Sequence, residues 1–197
     1  MANNNRNIYT AEPLATGVAF CGPLGTTAPT DARTALDPAM VDLGYTGQDG
    51  FTEKNDRRTD LKRSFGGKVV KVVQTEYSAS LDFTLMESLN GLVLKAIFGT
   101  ANVTITAATT QHGAQVRVLK NGRKLPHQAW CIDTADDETG AKYRNWVSDG
   151  QITTVADIKV VHSDVIEYRI TIECFETEAG NDNIITFTDD NVLATGP

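Results

Sequence analysis

Catalytic and metal-binding signatures are missing from this sequence. Its three cysteines, Cys21, Cys131 and Cys174, never approach a C-x-x-C spacing, and His112, His127 and His162 are scattered. No H-E-x-x-H helix signature and no G-x-S-x-G elbow occurs. Gly66-Gly67-Lys68 is followed by Val69, so it lacks both the spacing and the hydroxyl residue of a phosphate-binding loop. On these grounds no catalytic residue, metal site or cofactor is assigned. An odd number of widely spaced cysteines fits buried small hydrophobes in a reducing compartment better than a disulfide framework. The chain also lacks an apolar run of the ~20 residues that span a bilayer. Its longest candidate, Gly91–Gly99, is broken by Lys95, so no membrane partner is expected. The opening MANNNRNIYTAEP has no apolar segment of the signal-peptide kind, and export by that route is not expected.

Basic charge is scarce in the last third. The formal charge of −7 divides into 14 basic and 11 acidic residues up to Trp130, then 4 basic and 14 acidic from Cys131 onward. A protein that grips nucleic acid concentrates Lys and Arg to release phosphate counterions, and this balance argues against one. It suits a surface that repels phosphate, or a solvated acidic face. Asp133, Asp136, Asp137 and Glu138 form the one carboxylate cluster. The alternating ligands and central glycine of a calcium loop are absent, so an acidic turn is the better reading and a metal-dependent enzyme the poorer one.

What is present centres on Phe65 to Gly99. Glu76, Ser78, Ser80 and Asp82 alternate with Tyr77, Ala79, Leu81 and Phe83, the period of a strand with one buried face. Thr84 with Glu87 three residues on reads as a capping box. Leu85, Leu89, Leu92, Val93, Ala96 and Ile97 then recur at helical spacing, ending at Gly99. Before this stretch, Gly47 to Gly67 carries four acidic and five basic residues among few apolar ones. A connection of about 20 residues is unusual inside a compact domain and reads either as a functional loop or as a mobile solvated one.

Prolines 13, 23, 29 and 38 interrupt the first 38 residues, which read as an extended arm or, alternatively, contain a strand at Thr16–Cys21 that joins the main sheet. A first confident strand is expected at Met40–Tyr45. Later come short strands at Asn102–Thr106, Ala114–Val118, His127–Asp133 and Tyr143–Val147, with Gly150 closing a turn. Asn121-Gly122 signals a type I′ hairpin. Ile152–Val161 and Val165–Phe175 read as a hairpin turning at His162-Ser163-Asp164, and Ile184–Phe187 as a weak last strand. The list predicts a mainly β fold: a β-sandwich or partly closed barrel, one flanking helix over about 85–98, a long charged inter-strand loop and extended terminal arms. The expected division is an arm at 1–38, a β domain at 39–178 and a tail at 179–197.

The order of parts between Val41 and about Val103 is a strand, a charged loop, Phe65-Gly66-Gly67, a strand ending in Asp82-Phe83-Thr84, and a helix ending in Phe98-Gly99. It resembles the major tail tube proteins of long-tailed, non-contractile (siphovirus-type) bacteriophages. The resemblance implies a structural, non-enzymatic virion protein that self-assembles into stacked, hexameric rings forming a conduit for genome ejection. It implies as partners other copies of itself, a tape-measure protein, terminator or tip proteins, and double-stranded DNA in transient passage. Assembly would take place in the host bacterial cytoplasm. A tail terminator, connector or other ring-forming module that does not polymerise is the alternative.

By the same resemblance the charged loop makes inter-ring contacts through Asp49, Phe51, Glu53, Lys54, Asp56, Arg57, Arg58, Lys62 and Arg63. The lumen-facing candidates are two polar strand faces, Glu76, Ser78, Ser80 and Asp82 in one and Glu167, Arg169, Thr171 and Glu173 in the other.

Overall fold

The computed structural model describes residues 7–177 and 183–193. The first six residues of the expected arm, and 178–182 and 194–197 around the expected tail, lie outside the described residues. Eleven strands follow in chain order: β1 Glu12–Pro13, β2 Ala19–Pro23, β3 Val41–Asp42, β4 Thr46–Arg63, β5 Val69–Leu85, β6 Val103–Thr106, β7 Gln115–Val118, β8 His127–Ala135, β9 Lys142–Val155, β10 Tyr168–Cys174 and β11 Ile185–Asp189. One helix, α1 Gly91–Phe98, sits between β5 and β6. The fold is mainly β with one helix, as expected, and the sheet does not close into a barrel. Nine strands form one antiparallel sheet in the order β3-β2-β8-β9-β10-β5-β4, with β1 beside β8 and β11 beside β9. β6 and β7 make a separate ribbon.

The sheet bends round its core. Three strand spacings separate β5 from β8, about 14 Å in a flat sheet. Yet the rings of Phe83 on β5 and Trp130 on β8 meet edge to face at 6.3 Å. Val93, Leu94 and Ile97 of α1 pack into the same core as Leu81, Leu85, Ile170 and Ile172. A smaller cluster on the other face of β8 and β9, Ala129, Cys131 and Trp146, is covered by Leu36, Met40, Ile185 and Phe187. β9 makes both arrangements possible by changing partner, since residues 142–146 pair with β11 and residues 150–155 with β10.

Several expectations need correction. The helix starts at Gly91 because β5 keeps its ladder through Leu85, which pairs with Tyr168 and with Thr46. Asn90 is the N-cap, its carboxamide oxygen accepting from the Leu92 amide at 2.9 Å. Leu89, counted on the helical face, is 91% exposed. Gly99 does end the helix at positive φ. The charged loop is a strand: residues 51–63 pair with β5 along nearly their whole length. Gly150 closes no turn but lies inside β9. There an added Cβ would stand 2.7 Å from Trp130 Cδ1, so the glycine lets the indole lie against the backbone.

Asn121-Gly122 makes no hairpin either, because β7 pairs only with β6 and β8 pairs elsewhere. The Asn121 side chain instead accepts from the Arg123 amide at 3.0 Å and donates to Asn102 at 2.9 Å. His162-Ser163-Asp164 lies within a connection that runs from the end of β9 at Val155 to the start of β10 at Tyr168. Of the two readings of the first 38 residues, a strand within the main sheet is what the fold contains at β2. All three cysteines are free and buried, and burial pushes the thiols of Cys131 and Cys174 up to about 12.

Candidate functional site

β4 and β5 leave the body as a two-stranded hairpin. Every residue from 52 to 72 is exposed, so neither face of the outer hairpin is covered. Its turn runs Ser64-Phe65-Gly66-Gly67, closed by the Gly67 amide on the Ser64 carbonyl at 2.9 Å, with Gly67 at φ 81°. Phe65 projects wholly into solvent, and Leu61, Val69, Val70 and Val72 are exposed beside it. An isolated two-stranded hairpin is marginally stable in water, and large exposed apolar patches mark interaction surfaces.

The nine residues expected to make inter-ring contacts do not share one environment. Phe51 is partly buried, its ring 5.1 Å from Phe83, and so belongs to the core margin. Glu53 accepts from Asn145 at 3.1 Å at the hairpin base. Lys54 pairs with Asp82. Arg57 stacks over Tyr77 at 4.6 Å and donates to Gln74 at 3.0 Å. Arg58 faces Glu76 at 3.5 Å, and Lys62 pairs with Asp60. Arg63 donates to the Gly67 carbonyl at 3.0 Å across the turn. Asp49 and Asp56 are exposed. Lys54, Arg57, Arg58 and Arg63 therefore hold the hairpin in register, each exposed pair contributing about 0–1 kcal/mol.

The two polar strand faces turn out to adjoin. β10 pairs with β5 so that Thr171 stands opposite Asp82, Glu173 opposite Ser80 and Arg169 opposite Thr84. Asp82 is only 8% exposed and takes both the Lys54 ammonium and the Thr171 hydroxyl. Burial pushes its carboxyl up, but those two partners outweigh burial and hold it below the usual carboxylate range. Glu76 and Ser78 lie farther out on the hairpin, opposite Arg58 and Asp56. Glu167 precedes β10 and is exposed. Lys54 with Asp82 and Arg58 with Glu76 are ion pairs on this surface, while Glu167, Arg169 and Glu173 form none among the described residues.

The acidic cluster disperses. Asp133 lies inside β8, buried against Arg144 at 2.5 Å, while Asp136 accepts the amides of Thr10 and Thr139 in the turn that follows. No group of three metal-ligating side chains converges among the described residues.

The features that sequence reasoning missed are the apolar hairpin tip and a cavity of about 870 Å³ at the hairpin base, between the N-terminal segment and the start of β4. Phe65, Val69, Val70 and Val72 were the available signal for the tip: an apolar group beside a double glycine that matches no buried face. The cavity had none, since its walls come from residues as far apart as Ala11 and Asn145.

No curated protein matches the chain. Among solved structures, a chain of the sheath–tube complex of an extracellular contractile injection system, PVC, in the extended state aligns at a TM-score of 0.49 with 9% identity, over 92% of this chain and 94% of its own. The tube-terminating cap of the anti-feeding prophage aligns at 0.47 with 10% identity, over 96% and 100%. The PVC sheath/tube terminator aligns at 0.43 with 9% identity, over 89% and 96%. These likenesses are too remote to bear on what this chain does. The family model of phage tail tube proteins matches residues 1–195. With nearly its whole length matched, this chain belongs to the phage tail tube protein family, structural components of the virion tail.

Proposed function

We propose that the chain assembles into stacked hexameric rings whose bore conducts the phage genome, in a long, non-contractile tail. The observation that carries this reading is the β4–β5 hairpin, exposed on both faces from 52 to 72 and tipped with apolar side chains. Packing against neighbouring copies supplies the cover that such a ribbon lacks, and repetition around a ring multiplies weak contacts. Asp49, Asp56, Arg58, Lys62 and Arg63 are the exposed charges that would set register between copies.

The joined polar face of β5 and β10 lines the bore in this reading. Lys54 and Arg58 on the adjoining β4 are engaged by carboxylates, which leaves Arg169 as the one cation of the face without an ion-pair partner among the described residues, so phosphates meet few free cations and passing duplex is not retained. A tape-measure protein and terminator or tip proteins are the further partners. Assembly takes place in the host cytoplasm.

Because the two hairpin arms hold each other, the test excises both. Residues 57–77 are replaced by Asn-Gly, which joins the paired residues Asp56 and Ser78 through a tight turn. Electron microscopy of the unaltered protein, alone and with a tape-measure partner, is expected to show rings stacked into tubes. The excised protein is expected to keep its thermal transition and to form no tubes. Tubes from the excised protein would refute the hairpin's role. Unaltered protein that forms single rings and never stacks would favour a capping or connecting part.

A further inference from the structure

We propose that the hairpin tip of one copy seats in the cavity at the hairpin base of another, so that tip and receptor are the two halves of one inter-ring joint. The inference rests on the tube reading and names the contact that reading leaves open.

The tip is apolar and basic. Between Leu61 and Val72 lie five exposed large apolar side chains and four cations, Lys62, Arg63, Lys68 and Lys71, with no carboxylate. Lys68 and Lys71 have no ion-pair partner among the described residues. The cavity is its counterpart. Glu12, Asp42, Glu53 and Glu87 line it and no Lys or Arg does, while Leu14, Val18 and Ile132 supply apolar wall. Hydrogen bonding with the Asp137 carboxyl, with burial adding to it, holds Glu12 above its ordinary value, so negative charge is crowded at this rim.

A second large cavity, about 680 Å³ beside α1, offers a control within the same molecule. Lys95, Arg123 and Lys124 stand in its lining with no Asp or Glu, and the basic tip would be repelled there. Shape alone does not separate the two cavities. Charge does, because like charges facing across an interface repel and suppress the wrong pairing.

Chain geometry makes the occupant a second copy. Glu53 lines the cavity and Phe65 is twelve residues away along a paired strand, about 40 Å at ~3.3 Å per residue. The hairpin cannot double back without breaking its own ladder. It therefore reaches a neighbour displaced by no more than about 40 Å, which sets an upper limit on the axial repeat of the tube.

Reciprocal charge reversal tests the joint. The tip variant Lys68→Glu with Lys71→Glu, and the cavity variant Glu12→Lys with Asp42→Asn, are each expected to keep the unaltered thermal transition. Each is expected to raise the critical concentration for tube assembly about tenfold or more. All four substitutions in one chain, which set the new carboxylates of the tip against the new ammonium of the cavity, are expected to recover part of the loss seen in the tip variant. Tubes that form from the unaltered protein but are indifferent to the tip variant, or are not rescued by the combined one, would overturn the docking and leave the tube reading standing.

A second measurement does not depend on tubes. Chains carrying Lys68→Cys are mixed with chains carrying Glu12→Cys under a mild oxidant, against a background of three buried native thiols. A disulfide linking position 68 of one chain to position 12 of the other, identified by peptide mass spectrometry, is expected. Its absence overturns the docking. Its presence without tubes would support the joint and count against the tube.

Discussion

Gly150→Ala is the sharpest test of how this sheet bends. A Cβ at that position would stand 2.7 Å from Trp130 Cδ1 and 2.8 Å from Ile172 Cγ2, closer than real Cβ atoms come to their neighbours. Neither side chain is free to retreat. Trp130 is fully buried, edge-on to Phe83, with its indole N–H 3.4 Å from the Gly150 carbonyl, and Ile172 is fully buried in the same core. Overpacking of this kind costs about 1–3 kcal/mol. Alanine also restrains the unfolded chain, which returns about 0.4–1 kcal/mol at a compatible backbone position. The expected net loss is centred on about 1.3 kcal/mol, a fall in Tm of roughly 3–5 °C for a chain of this size.

The assay is urea and thermal unfolding at concentrations where the chain is monomeric, because assembly would otherwise add its own stabilisation. Gly66→Ala is the control. Nothing lies within 4 Å of a Cβ there, and the change is expected to stay within about 0.5 kcal/mol. If Gly150→Ala is as stable as the unaltered protein, Trp130 does not lie against β9, and the bend in the sheet has another cause.

Two further outcomes concern charge. Arg144→Ala strands the buried Asp133 carboxylate and removes the donor to the Asp31 and Thr34 carbonyls; a loss of about 3–5 kcal/mol in denaturant unfolding is expected. Arg144→Met with Asp133→Leu, which removes both charges of this buried pair, should recover much of it, and a double variant as unstable as the single one would refute the stranded charge as the cause. Acid unfolding should set in below about pH 4. Asp31 is held at about 2 by the Thr34 hydroxyl and the amides of Thr34 and Arg33, and Asp82, Asp136 and Asp189 also lie below the ordinary 3.8. Groups depressed by folding contribute stability above their unfolded pKa and lose it as pH falls through the folded one. Glu12, raised by folding, works in the opposite direction and is outnumbered. Stability that rose on acidification from pH 5 to 3 would contradict these assignments.

Where one side of an element faces the core, the sequence was legible. The alternation through Glu76–Phe83 and through Ile166–Cys174 marked β5 and β10, because burying one face imposes a period of two. It failed where burial is absent. Residues 52–63 carry no alternation because both faces are exposed, so a strand defined only by its pairing with β5 read as a loop. The helix start was misplaced for the opposite reason. Thr84 and Glu87 match a capping box, yet sheet pairing at Leu85 overrides it, and the working cap, Asn90, was obscured by the stronger pattern upstream.

Gly150 shows that a glycine can serve packing as well as a turn, and Asn121-Gly122 that a hairpin dipeptide makes no hairpin when the flanking strands pair elsewhere; sequence alone separates neither case. Of the candidate site, residues on β5 and β10 could be nominated from their own pattern. That the two faces are one surface depends on strands nearly 90 residues apart becoming neighbours.

The walls of the acidic cavity have a consequence in time. β4 and β5, whose pairing is local, are complete in the chain by residue 85, less than half its length. The cavity is completed only when Ile132, Thr134, Tyr143 and Asn145 arrive and β8 closes on β2. Synthesis at about 5–20 residues per second puts several seconds between the two events. In the proposed joint, the segment that forms the tip is therefore made before the cavity that would receive it. If that joint forms, a nascent chain at this stage could join the end of a growing polymer but not serve as the next end.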